Sequence, residues 1–165
     1  MSAEATDLIT GLISDTVDKY DADLVDLRRD LHAHPELSWS ETRTSDLVAA
    51  RVEQAGWSVT RAHRSGVVAD LGVDGPAVAL RADMDALPVQ DLTEDPWRSQ
   101  VTGVAHACGH DVHTAALVGA ASGEAVAQGV IVTTLPLGFL PGSALMVASR
   151  PVGVTSTAAG SGTSR

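Results

Sequence analysis

The 165-residue chain has no asparagine, one lysine (Lys19), one cysteine (Cys108), one tyrosine and one phenylalanine. A single cysteine excludes an intramolecular disulfide, and with it the main reason to expect a secreted, disulfide-stapled scaffold. Positive charge is scarce too, and the net charge is −10. Neutralising phosphates takes lysine and arginine gathered on one face, so the balance speaks against nucleic acid and against an anionic membrane surface. The opening MSAEATDLITGLISDTVDKYD lacks the basic start and apolar run of a signal peptide, which makes the cytoplasm the expected location. Arginine outnumbers that one lysine tenfold. With so much alanine, valine and glycine, this reads as coding bias from a GC-rich genome.

Hydrophobic residues make up 44% of the chain, enough for a core. Residues 5–34 predict one helix, in which Ile13, Val17, Tyr20, Leu24, Leu27 and Leu31 step by threes and fours into one apolar stripe. Pro35 ends it. A second helix is expected over Glu41–Ala55, with Ser40 as N-cap, Gly56 just past its end, and Leu47, Val48 and Val52 inward. The period then changes to that of strands at Trp57–Arg61, Val67–Leu71 and Ala77–Arg81, with Asp74-Gly75 as a tight turn between the last two. Residues 84–104 read as loop, Asp111 to about Ala127 as helix, and Val130–Leu135 as one more strand. This order of elements implies an α/β layer fold.

Composition shifts near residue 121. Of 21 acidic residues only Glu124 lies beyond residue 120, and residues 125–149 carry no charge. A membrane span is one reading of that stretch, but Gly129, Pro136, Gly138, Pro141 and Gly142 interrupt it. The last residues, TSTAAGSGTSR, read as a flexible tail. The expected organisation is residues 1–121 as one structured part and 122–165 as a divergent, uncharged segment with that tail.

Three segments could carry chemistry. Ala105-His106-Ala107-Cys108-Gly109-His110-Asp111-Val112-His113 packs three of six histidines and the only cysteine into nine residues. Thiolate and imidazole suit zinc and similar borderline metals, and Gly109 would let Cys108 and His110 turn toward one point. The bland alternative is a buried cysteine among solvated histidines. In Leu80-Arg81-Ala82-Asp83-Met84-Asp85-Ala86-Leu87-Pro88 an apolar strand runs into two carboxylates spaced i, i+2, hence on one face in extended chain. Strand ends of open α/β sheets are where ligands bind; the alternative is a turn with two solvated aspartates. In Leu31-His32-Ala33-His34-Pro35-Glu36 the two histidines end a helix, where i and i+2 point apart. A structural turn or pocket wall fits them better than a metal pair.

Taken together, LRRDLHAHPELSWSE, ALRADMDALPVQ and SQVTGVAHACGHDVHTAALVGAA, in this order, resemble the N-terminal part of the aminoacylase/hippurate hydrolase group of metallo-amidohydrolases and metallopeptidases. Indole-acetyl-amino-acid hydrolases and N-acetyl-diaminopimelate deacetylases belong to that group. The resemblance spans roughly residues 20–121. It implies a partial zinc-peptidase-like α/β catalytic domain, helices packed on a mixed sheet, with the group's inserted dimerisation domain absent. It also implies two divalent metals per intact site (Zn, Mn or Ni). Cys108 and His110 fall on metal ligands of the group and Asp85 on the strand-end aspartate that organises the site, while Asp83 stands where related peptidases carry a histidine ligand. The implied reaction is hydrolysis of the amide bond of a small N-acyl amino acid by water activated at the metals, a glutamate serving as general base. Intact relatives often dimerise through the inserted domain.

The resemblance ends near Ala121. Where the group carries a Gln-Pro-Ala-Glu-Glu-like segment with its general base and a further ligand, this chain reads Thr133-Thr134-Leu135-Pro136-Leu137-Gly138-Phe139. A catalytic metal needs about three protein ligands, and the comparison supplies two. The sequence therefore also supports a non-catalytic fragment with a partial metal site, the product of a truncated or frameshifted gene. Such a chain would be aggregation-prone, with exposed sheet edges. Reading the DNA past the Ala121 codon in the other two frames tests this: neither frame encoding a Pro-Ala-Glu-Glu-like segment would end the frameshift idea.

Overall fold

The computed structural model describes residues 3–62, 65–71, 78–122 and 144–149. The first helix, α1, spans Ala3–Ala33, as the apolar stripe requires. Only the C-terminal half of that stripe meets a core. Leu27 and Leu31 are buried and Leu24 packs beside them, whereas Ile13 and Val17 stay 51% and 52% exposed.

The second helix, α2, spans Thr42–Gln54. Its N-cap position is Glu41, not Ser40, and the Glu41 side chain makes no cap hydrogen bond. The cap comes from outside the helix. The Glu36 carboxylate accepts from the backbone N–H groups of Arg43 (3.0 Å) and Thr44 (2.8 Å), two donors with no partner inside the first turn. Glu41 instead turns inward, fully buried, and accepts from the Ser65 hydroxyl. Val48 and Val52 are buried as expected, together with Thr44, Ser45 and Ala49, while Leu47 is half-buried at the core's margin. Gly56 closes the helix at φ 91°, a left-handed conformation that suits glycine.

Strands β1 (Ser58–Arg61), β2 (Val67–Leu71) and β3 (Val78–Asp83) lie within a residue or two of the valine-rich runs. Helix α3 spans His110–Ser122, and strand β4 spans Ala144–Ser149. That last strand falls inside the uncharged stretch and was not expected there. The Asp74-Gly75 turn, the strand expected at Val130–Leu135, the end of the helix beyond Ser122 and the tail lie outside the described residues. No helix among the described residues is long and apolar enough to cross a membrane.

The sheet is mixed, in the order β1-β2-β4-β3. β1 pairs antiparallel with β2, β2 parallel with β4, and β4 antiparallel with β3. β2 and β3 follow one another in the chain yet are not partners, because β4 lies between them. α2 packs on β1 and β2; α3 packs on β3, α2 and α1. Leu27, Leu31, Val48, Val52, Trp57, Val67, Met84 and Val118 form the shared core. The Trp57 indole N–H donates to the Ala121 carbonyl at 2.8 Å, pinning the C-terminal turn of α3 to the α2–β1 connection. Arg43 and Arg51 reach from α2 to Asp30 and Asp23 on α1. At Gly119 a Cβ would stand 2.6 Å from Leu24 Cδ1, so α1 and α3 approach closely because that position has no side chain.

Candidate metal centre

The end of β3 alternates strictly. Ala82, Met84 and Ala86 are buried, while Asp83 and Asp85 lie between them on the opposite, half-exposed side. Two short bridges extend the strand's path into the loop, Leu37 with Ala86 and Leu87 with Ala105. They bring the loop preceding α3 beside the end of β3. The two aspartates nevertheless have different partners. Asp83 is held by Arg81 on its own strand (Nη2–Oδ1 2.6 Å), and its carbonyl accepts from the Thr114 hydroxyl of α3. Asp85 faces the start of α3.

Gly109 adopts φ 84°, and its carbonyl accepts from the N–H groups of Val112 and His113. The left-handed turn between Cys108 and His110 is thus also the entry to the helix, and glycine is the residue that takes it without strain. His110, the first residue of α3, places Nδ1 2.9 Å from the Asp85 carbonyl and 3.0 Å from Asp85 Oδ1. A carbonyl oxygen only accepts, so Nδ1 carries the hydrogen. In the neutral imidazole this leaves the Nε2 lone pair free. A carboxylate fixing one ring nitrogen so that the other is presented to a metal is a recurrent arrangement around metal-binding histidines. Cys108 is a free, exposed thiol two residues earlier. The donor chemistry available at this turn, one thiolate sulfur and one oriented imidazole nitrogen, fits a zinc-like ion. Among the described residues no group of three or more His, Cys, Asp or Glu side chains is arranged to hold a metal.

The other histidines separate by environment. His113 is exposed, its ring 5.9 Å from that of His110. His106 is only 5% exposed, and neither ring nitrogen has a hydrogen-bond partner among the described residues. The reading of solvated histidines around a buried cysteine is therefore inverted at these two positions: Cys108 is out and His106 is in. Burial lowers the His106 pKa below its ordinary 6.5, opposed by the nearby Asp111 carboxylate. His32 and His34 do point apart. His34, just past α1, places Nδ1 2.9 Å from the Asp30 carbonyl in the last turn of that helix, whereas His32 Nδ1 reaches Asp111 Oδ2 at 2.8 Å. Arg28, one turn back on α1, bonds the same oxygen at 3.0 Å, and His32 Nε2 lies 3.5 Å from Asp91. This Arg28–Asp111–His32–Asp91 chain escaped the sequence reading. Its one local sign was the i, i+4 placement of Arg28 and His32 on a single helix face.

Comparison with known proteins converges on the same segments. Residues 79–128 match Peptidase family M20/M25/M40. An N-acetylcysteine deacetylase of Bacillus subtilis is 44% identical over 102 residues, covering 59% of this chain and 27% of that protein. A Rhodococcus jostii protein bearing a glutamate–cysteine ligase name is 52% identical over 101 residues, covering 60% of this chain but 13% of that protein. The chain thus spans less than a third of the length of these curated relatives. The crystal structure of a Bacillus subtilis dinuclear metal-binding peptidase from the M20 family superposes with a TM-score of 0.57 at 28% identity, over 81% of this chain and 36% of the other. The strand-end aspartates and the Cys-Gly-His helix entry lie inside the region that is similar to Peptidase family M20/M25/M40, and the chain resembles part of a metallo-amidohydrolase of that kind.

Proposed function

We propose that this chain provides metal-site residues of a hydrolase acting on the amide bond of N-acyl amino acids, with Cys108 and His110 as metal donors and Asp85 orienting His110. One observation carries the reading: His110 Nδ1 is committed to the Asp85 carbonyl and to Asp85 Oδ1, which leaves Nε2 as the remaining donor near an exposed thiol. A divalent metal, when bound, would supply Lewis acidity toward water and an amide carbonyl. Asp85 holds the proton on Nδ1 and fixes the ring plane. The first turn of α3 begins two residues after Cys108, so the thiol and the His110 ring flank the same turn. Kinship with an N-acetylcysteine deacetylase supports the substrate class.

A second reading has its own observation. Among the described residues no third ligand joins Cys108 and His110 in a group arranged to hold a metal. On that ground the isolated chain binds one metal ion weakly and turns over little substrate. Metal analysis of the purified chain, combined with assays on N-acetyl and N-benzoyl amino acids, separates the two. Hydrolysis that disappears in Cys108→Ala supports the enzyme. Metal bound without turnover supports the partial site. Full activity in Cys108→Ala sinks the ligand assignment.

A further inference from the structure

We infer that His32 is a positioning residue, which holds Asp111 and thereby sets the first turn of α3 so that His110 meets Asp85. His110 and Asp111 are consecutive, and consecutive helical side chains point in directions about 100° apart. One faces the end of β3, the other faces α1. On the β3 side the turn is tied twice, by His110 to Asp85 and, one turn further on, by Thr114 to the Asp83 carbonyl. On the α1 side it is tied through a single oxygen, Asp111 Oδ2, shared by His32 and Arg28. Asp111 is 1% exposed, so that oxygen has no solvent to fall back on. Of its two partners His32 is the more enclosed, with a side chain 13% exposed against 31% for Arg28. On its far side His32 Nε2 lies 3.5 Å from Asp91 Oδ2, and the Asp91 carboxylate is itself fixed by accepting from the Thr93 and Ser99 amides.

Without the His32 contact, only the more exposed Arg28 would tie the first turn of α3 to α1, and the turn could shift about Thr114. A hydrogen bond shared between two acceptors at 2.9 and 3.0 Å tolerates little displacement before its geometry fails. The His110 ring would then lose the partner that fixes its tautomer. The positioning role rests on these contacts alone; only its consequence for metal affinity rests on the function proposed above.

Three variants of the full chain separate the contacts. In His32→Asn the side-chain amide N–H stands about where imidazole Nδ1 was and keeps Asp111. In His32→Gln the amide reaches toward Asp91 and releases Asp111. His32→Ala loses both. The first readout is the long-range ¹H–¹⁵N spectrum of the imidazoles at pH 8, which reports the His110 tautomer without any metal. The wild type and His32→Asn are expected to show the Nδ1–H form, while His32→Gln and His32→Ala lose it to a mixture. The second readout is Co²⁺ titration followed by the thiolate-to-cobalt absorption band, where His32→Gln is expected to bind about tenfold more weakly than His32→Asn. Far-UV circular dichroism checks folding, and if His32→Ala fails to fold the Asn/Gln pair still decides. A His110 tautomer unchanged in His32→Gln, equal spectra for the Asn and Gln variants, or a wild type lacking the Nδ1–H form overturns the proposal. A tautomer pattern as expected with no cobalt band in the wild type sustains the positioning role and sinks the metal reading instead.

Discussion

Placing a methyl group at Gly119 sets two effects of similar size against each other. Alanine in a helix interior is favoured over glycine by about 1 kcal/mol. Against that, the new Cβ would sit 2.6 Å from Leu24 Cδ1, 3.3 Å from Cδ2 and 3.6 Å from Cγ. Cγ itself is at ordinary van der Waals distance, so the clash is with the methyls, and Leu24 must turn about a side-chain torsion and give up part of its packing on the core. Overpacking of this kind costs about 1–3 kcal/mol, so Gly119→Ala in the native background is expected to be neutral to destabilising by about 2 kcal/mol. In a Leu24→Ala background the clash is gone and the helix preference remains, so the same substitution should stabilise by about 1 kcal/mol. The effect differs between backgrounds, and the difference, about 1–3 kcal/mol, isolates the α1–α3 contact. Urea unfolding of the four proteins at constant m reads it directly. If Gly119→Ala has the same effect in both backgrounds to within about 0.3 kcal/mol, Leu24 does not meet that position and the packing described for these helices is wrong.

Three further outcomes follow from the contacts. Glu36→Ala should cost about 1 kcal/mol by leaving the Arg43 and Thr44 amides uncapped, with Glu36→Gln losing less because one amide oxygen still accepts; urea midpoints compare them. Trp57→Phe removes the donor to the Ala121 carbonyl and should cost about 1–2 kcal/mol, with thermal unfolding as the assay. The Ser99 and Thr93 amides hold the Asp91 carboxyl at about 2, below its ordinary 3.8. Because the folded value is the lower one, this contribution is complete above the ordinary value and fades as pH falls toward 2. Urea midpoints between pH 5 and 2 should therefore fall less steeply in Asp91→Asn than in the wild type.

Legibility in the sequence tracked how local each determinant is. The valine run of β2 and the helical stripe of α1 are periodic within themselves, and both stand where the pattern put them. The stripe did not show where its burial stops, since that depends on the length of α3 lying against it. Ser40 looked like the cap of α2 because it has the right side chain, but Glu36 supplies the acceptor through a loop that no window of helix signals includes. β4 stayed hidden in a stretch of small and apolar residues with neither alternation nor charge to mark a strand. At the metal centre, residue types and spacing pointed to Cys108, His110 and Asp85, and the fold brings the last two to 3.0 Å. The His32–Asp111 contact joins residues 79 positions apart, and neither partner carries a local mark of the other.

The sheet order has a consequence for how the chain is made. Synthesis delivers β2 and β3 long before β4, yet β4 must slide between them, parallel to one and antiparallel to the other. On the ribosome the nascent chain therefore holds its two earlier strands apart, or pairs them wrongly with each other and must undo that pairing when residue 144 emerges. Helix α3, which packs on β3, α2 and α1, precedes the last strand in the chain. Closure of this sheet is a late, long-range event, and the yield of correctly assembled protein should depend on translation speed and on chaperones that shield unpaired strands.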